Sequence, residues 1–350
     1  MADLRWMIYG ASGYTGTLVA QEAVAHGHRP LLAGRDESKL RLLARQLGLR
    51  YVAFGLDDVN AIARHIGEMD VVYHAAGPFT HTSAPMIRAC LATHTHYVDI
   101  SGEVDVLEAT FGYDDVARKV GVALISGAGF DVIPSDCLAA TVAARVPAIH
   151  QLTMGIEALS SISAGTGKSL LEMLPHGLRW REGGQLRVAP RRAWVRTLPM
   201  TSGRKLGLLI PWGDIATAYR TTGAPNIAVY MALHPTLVRL LSVTGSMGWL
   251  FKLQTVKRLA GWLMSRLATP PNAQQRSIGA SYLYARASNL AGDVAEAWLE
   301  TAEGYQFTAL CAVPSVERVA SGGLSGALTP SQAFGKDFVL GIEGTRLHMP

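Results

Sequence analysis

The chain has 350 residues, of which 49% are hydrophobic and 17% are charged, and its formal net charge at pH 7 is +5. This composition excludes an intrinsically disordered protein, and the length favours two domains over one. The three cysteines lie far apart without a CxxC pair, so we expect neither a disulfide framework nor a metal site. Because the N-terminus has no apolar signal segment, we expect a cytoplasmic protein.

The first part of the chain alternates between apolar runs of strand length and helical patterns. The predicted strands are 6–9, 30–34, 51–54, 70–76, 96–100 and 122–126. The predicted helices are 14–27, 36–48, 83–93 and 113–121, with left-handed caps expected at Gly27, Gly48 and Gly121. Continuous apolar strands separated by helices indicate a parallel sheet covered on both faces. We therefore predict an α/β domain of the Rossmann type over residues 1–147.

A glycine-rich loop, "GASGYTG" at 10–16, joins the first predicted strand to the first predicted helix. Gly10 permits a tight turn, Gly13 lets the backbone approach a pyrophosphate, and Gly16 lets the helix pack close to the sheet. The helix N-terminus adds unpaired N–H groups that favour phosphate. The strand–loop–helix context therefore predicts a dinucleotide site rather than a purely structural turn.

The residues after the second predicted strand indicate which dinucleotide to expect. NADP-binding proteins place a cation there for the 2′-phosphate, whereas NAD-binding proteins place a carboxylate for the ribose. Arg35 directly follows the strand, and Lys39 lies one turn into the next helix. Asp36 is the competing carboxylate, but it is also well placed to cap that helix. We favour NADPH, with a solvated loop charge as the alternative interpretation of Arg35.

Beyond Pro147 the pattern changes to longer strand-like stretches. These are 150–159, 193–198, 226–233, 277–286 and 294–302. Two helices are predicted within 236–268, and a last helix at 305–322 contains Pro314, which we expect to kink it or end it early. We predict an α+β domain with a mixed or antiparallel sheet over 148–303. The remaining segment, 304–350, is predicted as a C-terminal helix and tail that pack back on the first domain.

Five motifs in order resemble the saccharopine dehydrogenase-like oxidoreductases, most closely the branch that contains the trans-acting enoyl reductases. They are "GASGYTG" (10–16), "AGR" (33–35), "HAAGPF" (74–79), "YVDISGE" (97–103) and "GAGFDVIPSD" (127–136). The resemblance implies NADPH-dependent reduction and a mixed-sheet domain that covers the cofactor and often mediates dimerisation. It places the cofactor on Gly10, Ser12, Gly13, Tyr14, Thr15, Gly16 and Arg35, and the nicotinamide beside Ala76, Gly77, Pro78 and Phe79.

Polar side chains follow the fifth and sixth predicted strands, at the carboxyl edge where open α/β sheets bind ligands. Asp99 and Ser101 are predicted to line the cofactor site. Glu103 either has a catalytic role or lies in the first turn of a helix, where the dipole favours a carboxylate. Farther along, Ser135 and Asp136 are alternatives for the cap of a helix at 137–146.

The sequence does not identify the proton donor of a reductase. Tyr97 and Asp131 are the catalytic candidates, and His74 is a further possible donor. Tyr97 and His74 could instead pack in the core or against the cofactor. The stretch "SAGTGKS" (163–169) lacks the first glycine of a P-loop, so we interpret it as a helix N-terminus near the cofactor.

Cationic residues are concentrated in the second part of the chain. Between 158 and 292 there are 17 Lys/Arg and 3 acids, a net charge of 17 − 3 = +14, against 15 − 24 = −9 elsewhere. From 215 to 292 there is no acidic residue. Five arginines could clamp a carboxylate substrate or form a partner-binding surface: Arg179, Arg181, Arg187, Arg191 and Arg192.

Within the acid-free stretch, one predicted helix has an apolar stripe and two further aromatic residues on its charged side. The stripe is Trp249, Leu253, Val256, Ala260, Leu263 and Leu267. Phe251 and Trp262 lie on the other side, among Lys252, Lys257 and Arg258. We interpret this as a homodimer interface or as a contact with lipid, an anionic membrane surface or an acidic acyl carrier protein, not as a membrane span.

The leading hypothesis is an NADPH-dependent reductase that reduces a C=C bond of an apolar substrate, which is either bound to an acyl carrier or itself a lipid. Saccharopine-type imine reduction is the alternative enzyme activity. A non-catalytic, membrane-associated NADP-binding protein is the alternative of another class. We expect no nucleic-acid partner, and a cytoplasmic location with peripheral membrane association as the variant.

Overall fold

The fold is that of a computed structural model, in which residues 4–158, 177–236, 238–239 and 271–350 are described. The chain forms two compact units: one contains Met1–Asp131 and Tyr305–Phe334, and the other contains Val132–Gly304 and Gly335–Pro350. These units divide the chain differently from the predicted domains. The N-terminal unit ends before a helix that packs on the second sheet, and the C-terminal segment is shared between the units.

The N-terminal unit contains seven strands in one parallel sheet. They are β1 (Trp6–Tyr9), β2 (Leu31–Gly34), β3 (Tyr51–Ala53), β4 (Val71–His74), β5 (His96–Asp99), β6 (Ala123–Ile125) and β15 (Gly326–Leu328). Their order is β15-β6-β5-β4-β1-β2-β3, and all described pairings are parallel. The six predicted strands and the parallel Rossmann-type sheet are confirmed. The strand order reverses at β1, which makes the edge beside it the expected ligand crevice.

Helices connect these strands and cover the sheet. They are α1 (Tyr14–Ala25), α2 (Glu37–Leu47), α3 (Val59–Ile66), α4 (Phe79–Thr93), α5 (Val104–Phe111), α6 (Asp114–Val120), α10 (Gly304–Ala320) and α11 (Pro330–Phe334). Two of these helices, α3 and α5, have eight residues each and were not predicted from the sequence. Gly27, Gly48 and Gly121 have positive φ angles, as predicted for helix ends.

The last long helix does not end early at Pro314, which was one of the two predicted effects of this residue, because α10 continues through it to Ala320. Val313 and Val316, on either side of the proline, are buried. This apolar packing outweighs the one backbone hydrogen bond that proline cannot donate. The strand that follows, β15, joins the sheet beside β6, and its Ala327 N–H donates to the Asp114 carboxylate (2.8 Å).

The other unit is built on a nine-stranded mixed sheet, which confirms the predicted fold class. Seven strands form the main path: β7 (Gln151–Ala158), β10 (Val195–Met200), β11 (Gly203–Leu209), β12 (Asn226–Ala232), β13 (Ala280–Ser288), β14 (Val294–Ala302) and β16 (Arg346–His348). Their order is β10-β11-β12-β7-β13-β14-β16, and β7 pairs with β12 in parallel. The hairpin of β8 (Arg179–Glu182) and β9 (Gln185–Val188) joins through β12.

The helix α7 (Ile133–Ala143) packs against β13, β14 and α8 (Asp214–Thr222), α8 also contacts β12, and α9 (Ala273–Ile278) contacts β14. It begins four residues earlier than predicted, because Pro134 occupies the first turn, where its missing N–H is not needed. The capping prediction for Ser135 and Asp136 is therefore wrong. Asp136 instead accepts a hydrogen bond from Thr221 Oγ1 (2.7 Å), which ties α7 to α8.

An aromatic cluster packs with the strand β10 in the same unit. It contains Trp194, Leu198, Met200, Tyr230 and Tyr284 among its buried residues. Gly155 and Gly207 make this packing possible, because a Cβ on either would lie within 3.0 Å of Leu198. The motif "SAGTGKS", the apolar stripe and, except for residues 236 and 238–239, the helices predicted within 236–268 lie outside the described residues.

Candidate cofactor site

The glycine-rich loop between β1 and α1 is closed by backbone contacts that admit no larger residue at two positions. Gly10 has φ +87°, and a Cβ on it would lie 2.8 Å from Ala75 C and Ala76 N. A Cβ on Gly16 would overlap the Gly10 carbonyl oxygen. The N–H groups of Gly10 and Ala11 donate to Ala33 O (2.8 and 3.1 Å), which fixes the loop to β2.

Gly13 differs from the other two glycines, because it is exposed and a Cβ on it would meet only Gly10 O, at 3.2 Å. It is the N-cap of α1, and no side chain caps this helix. Ser12, Tyr14 and Thr15 are partly buried around it. An uncapped helix N-terminus behind a glycine that is not needed for packing is the arrangement expected at a pyrophosphate site.

Arg35 and Asp36, which follow β2, differ in their hydrogen bonds and exposure. The Asp36 carboxylate accepts hydrogen bonds from Ser38 Oγ (2.6 Å) and Lys39 N (3.1 Å), and it pairs with Lys39 Nζ (3.3 Å). These hydrogen bonds, that of Ser38 first, lower the pKa of Asp36 to about 2. The predicted N-cap role of Asp36 is confirmed. Arg35 is exposed, and the described residues offer it no hydrogen bond or ion pair.

The end of β3, which was not predicted to be part of the site, lies beside β2 at the same sheet edge. Tyr9 Oη donates to Phe54 O (3.0 Å), and the Phe54 ring stacks on His65 at 4.5 Å. The segment that follows, 55–58, places Asp57 after Gly55, whose Cβ position is 3.2 Å from the Asp57 carboxylate. In the sequence, the pattern that could have identified this strand end is a glycine followed within three residues by two acids, directly after a short strand.

The segment 75–78 leaves β4 next to the glycine-rich loop, since Ala75 N donates to Tyr9 O (2.8 Å) and Ala76 lies against Gly10. Thr82 Oγ1 donates to Ala76 O (2.7 Å), and the Gly77–Pro78 peptide is cis. Gly77 is exposed, whereas Phe79 is buried against His74. The structure therefore brings the four predicted residues 76–79 to the edge of the sheet where β1 also ends.

Asp99 and Ser101, predicted as cofactor ligands, are fully buried and bind the protein itself. The Asp99 carboxylate accepts from Tyr97 Oη (2.7 Å), Ser101 N (2.8 Å), Ser126 Oγ (2.8 Å) and Gly127 N (3.0 Å). Burial raises the pKa of Asp99, and these hydrogen bonds oppose the rise. This geometry makes Asp99 a clamp between the ends of β5 and β6.

Tyr97 and His74 are enclosed in the same buried cluster. The Tyr97 hydroxyl lies 2.7 Å from Asp99 and 3.1 Å from His74 Nδ1. Burial raises the pKa of Tyr97 well above its ordinary value and lowers the pKa of His74 to about 3. A neutral imidazole and a fully enclosed phenol are poor proton donors to a ligand, so the geometry disfavours both residues in that role.

Glu103 and Asp131 lie on neighbouring loops at this edge. Glu103 precedes α5, but its carboxylate reaches the N-terminus of α4, where Phe79 N (2.9 Å) and Thr80 N (2.8 Å) donate to it. Asp131 lies against Gly102, where a Cβ would be 2.9 Å from Asp131 Oδ2. Burial, and next the charge of Glu103, raise the pKa of Asp131 to about 7. Asp131 is therefore the candidate whose proton is exchangeable near neutral pH.

Two of the five arginines considered as a possible clamp contact other groups of the mixed-sheet unit. Arg181 is buried, donates to Ile215 O (2.6 Å) and Gly184 O (2.8 Å), and stacks over Tyr219. Arg191 lies over the Trp194 ring at 5.5 Å. No cluster of potential metal ligands occurs in the part of the chain that the structure describes. Within 4–158, 177–236 and 271–350, no helix combines the length and apolar character needed to cross a bilayer.

The parallel sheet, its switch point at β1 and the glycine-lined turn before an uncapped helix define a dinucleotide-binding Rossmann domain. Comparison with known proteins gives a matching family model for this domain. Residues 6–125 match the saccharopine dehydrogenase NADP binding domain.

Curated relatives support the same assignment over the N-terminal part of the chain. A saccharopine dehydrogenase-like oxidoreductase of Bos taurus is 31% identical over 150 residues, which are 37% of this chain and 35% of that protein. A trans-acting enoyl reductase of Mycobacterium tuberculosis is 31% identical over 138 residues, 37% of this chain and 33% of that protein. The matched region is thus about a third of each relative's length.

Among solved structures, apo saccharopine dehydrogenase (L-Glu forming) from Saccharomyces cerevisiae has a similar fold, with a TM-score of 0.66. The alignment covers 99% of this chain and 100% of that one, at 12% sequence identity. At this identity the similarity concerns the fold alone. It extends the likeness beyond the matched domain to the mixed-sheet unit.

Proposed function

We propose that the protein is an NADPH-dependent reductase that adds a hydride and a proton across the C=C bond of an apolar acyl or lipid-linked substrate. The observation that supports the cofactor most directly is the cradle formed by Gly10, Gly13 and Gly16. A Cβ at Gly10 or Gly16 would overlap the protein's own backbone, which keeps the turn tight, whereas Gly13 is exposed at the start of a helix that has no side-chain cap. The cradle fits a pyrophosphate, and bound NADPH would supply the hydride.

The preference for NADPH over NADH is supported by the hydrogen bonds of Asp36, the acidic residue that follows β2. The Asp36 carboxylate already accepts hydrogen bonds from Ser38 and Lys39, so it is poorly available to ribose hydroxyls. Arg35 is exposed directly beside it. A guanidinium at this position matches the geometry of a 2′-phosphate.

Asp131 is the proposed proton donor. It lies in the loop after β6, beside Gly102, and its pKa of about 7 keeps part of the population protonated at neutral pH. A donor with a pKa near the working pH combines availability with driving force. The proton from Asp131 would go to one carbon of the double bond and the hydride to the other, which leaves a saturated product and NADP⁺.

The choice of a C=C bond and of an acyl substrate rests on the relatives named as trans-acting enoyl reductases. The basic second half of the chain, with +14 between 158 and 292, supports an acidic carrier protein as the substrate's bearer. An anionic membrane surface is the other proposed partner, and a homodimer is the proposed assembly.

The test is direct. Wild-type protein is titrated with NADPH and NADH by fluorescence, and then incubated with NADPH and either enoyl thioesters or an aldehyde plus an amino acid. We expect NADPH to bind more tightly and to be oxidised with the enoyl thioester. Oxidation only with the aldehyde and amine would favour imine reduction. Tight NADPH binding without turnover of either would favour the non-catalytic alternative.

A further inference from the structure

The helix α4 begins at Phe79, directly after the segment 76–78 that is expected to hold the nicotinamide. The first N–H groups of any helix need acceptors from outside the helix. The N-cap here is Pro78, which provides no side-chain hydrogen bond. The acceptors therefore have to come from another part of the chain.

Glu103 supplies them from the loop between β5 and α5. Phe79 N donates to Oε1 (2.9 Å), Thr80 N donates to Oε2 (2.8 Å), and Thr80 Oγ1 also donates to Oε2. Glu103 is 4% exposed, so water does not compete for its oxygens. A carboxylate at a helix N-terminus is also favoured by the helix dipole. This carboxylate thus serves as a bidentate cap for a helix that starts 24 residues earlier.

Glu103 is itself held in place by the buried cluster at the sheet edge. Its N–H donates to Ser101 Oγ (3.1 Å), and Ser101 N donates to the Asp99 carboxylate (2.8 Å). Asp99 is bound in turn to the end of β6. An unbroken series of hydrogen bonds therefore runs from the sheet through Glu103 to the start of α4.

The other side of the segment 76–78 is fixed against the glycine-rich loop. The Cβ position of Gly10 lies 2.8 Å from Ala76 N, and Thr82 Oγ1, on α4, donates to Ala76 O. Any displacement of the α4 N-terminus would therefore move Ala76 relative to Gly10. The adenosine end of a dinucleotide would lie beside β2 and β3, away from this connection.

We propose that Glu103 is a positioning residue that sets where the nicotinamide half of NADPH is held, without contributing to the adenosine half. The inference rests on the proposed function, because it requires that NADPH occupies this edge of the sheet. Glu103 need not contact the cofactor, since it acts through the backbone of Phe79 and Thr80.

The test compares NADPH with 2′,5′-ADP, a fragment that has the adenosine and 2′-phosphate but no nicotinamide. For Glu103→Ala, we expect the Kd of NADPH to rise about tenfold or more, the order expected for losing hydrogen bonds to a charged group. The Kd of 2′,5′-ADP should stay within about twofold of the wild-type value. The emission of bound NADPH should also shift toward that of free NADPH, because its nicotinamide is less ordered.

The matched control is Glu317→Ala, which removes a carboxylate of the same unit that pairs with His28 (3.2 Å). It should leave both affinities unchanged. Should Glu103→Ala fail to fold, Glu103→Gln keeps one acceptor oxygen and should give a smaller loss with the same split between the two ligands.

The proposal would be overturned if a Glu103 variant lost affinity for NADPH and for 2′,5′-ADP to the same extent, or lost affinity for neither. Wild-type protein that binds neither NADPH nor 2′,5′-ADP would instead refute the proposed cofactor, and the role of Glu103 with it. The binding of both ligands to wild-type protein therefore distinguishes a failure of the proposed cofactor from a failure of the positioning role of Glu103.

Discussion

Arg35 is the residue on which the choice between the two nicotinamide cofactors depends. Its guanidinium is exposed next to Asp36, whose carboxylate is engaged with Ser38 and Lys39. For Arg35→Ala, we expect NADPH binding to weaken by ~1.5–3 kcal/mol, the range for a hydrogen bond to a charged group. NADH binding should change little, because NADH has no 2′-phosphate.

Fluorescence titration of both cofactors against wild type and Arg35→Ala measures this difference. Arg41→Ala is a suitable control, since Arg41 lies on α2 and pairs with Glu37 instead (3.5 Å). The assignment of Arg35 fails if the wild-type protein prefers NADH.

Asp131 gives a prediction that needs no substrate. Its pKa is raised from 3.8 to about 7 in the folded chain, first by burial and then by Glu103. The folded state therefore retains a proton that the unfolded chain loses near pH 4, and this contribution to stability is lost as the pH rises toward 7. In Asp131→Asn this loss disappears. The free energy of unfolding of the variant, relative to that of wild type, should therefore increase by at most about 4 kcal/mol between pH 4 and pH 8.

Urea unfolding of both proteins at the two pH values measures that gain, and Asp115→Asn, at an exposed position, is the control. An identical difference between Asp131→Asn and wild type at pH 4 and pH 8 would show that Asp131 titrates normally. It would then also be unsuited to the proposed role as proton donor.

At the scale of elements, different glycines of the turn between β1 and α1 are expected to be required for folding and for cofactor binding. Gly16→Ala should destabilise the protein strongly, because the new Cβ overlaps the Gly10 carbonyl. Gly13→Ala should be tolerated, since its Cβ would meet a single atom at 3.2 Å. Gly13→Trp should leave the melting temperature near that of wild type and abolish NADPH binding, because the indole would occupy the place of the pyrophosphate.

Thermal melts and NADPH titrations of the three variants check this pattern. Gly13→Ala serves as the control for the tryptophan variant. Retained NADPH binding by a folded Gly13→Trp protein would mean that the pyrophosphate does not lie on this turn.

The elements that the sequence predicted well are those whose signal is local. The six apolar strands of the N-terminal unit, the glycine-rich turn and the Asp36 cap each depend on a few adjacent residues. The helices α3 and α5 were missed because eight residues give barely two periods of an apolar pattern. The early helix end expected at Pro314 was wrong for a related reason, because the packing that lets α10 continue involves residues that are distant in the sequence.

The candidate site was less predictable for the same physical reason. A polar residue at a strand end can point to a ligand or into the protein, and the pattern around Asp99 is the same in both cases. Only the three-dimensional structure shows that four donors surround it. The capping of α4 by Glu103 joins residues 24 positions apart, which no local rule anticipates.

At the scale of the whole molecule, we propose that the charge asymmetry serves an anionic partner. The segment 215–292 has eight cations and no acid, although its residues 237 and 240–270 lie outside the described structure. A field of one sign over so long a stretch favours an anionic partner. Each well-placed cation near a charged bilayer contributes ~1 kcal/mol, and the attraction fades within ~8 Å at physiological salt.

Reversing three of these charges tests the docking hypothesis. In the variant with Lys252, Lys257 and Arg258 changed to glutamate, binding to anionic vesicles or to an acidic acyl carrier protein should weaken, and low salt should not restore it. Trp262→Ser should also weaken binding by removing an apolar anchor, while NADPH affinity stays unchanged in both variants. Vesicle flotation and carrier pull-down at low and high salt measure these effects. If wild type binds neither partner at low salt, and Trp262→Ser converts a dimer to monomers, the cations and the apolar stripe belong to a subunit interface instead.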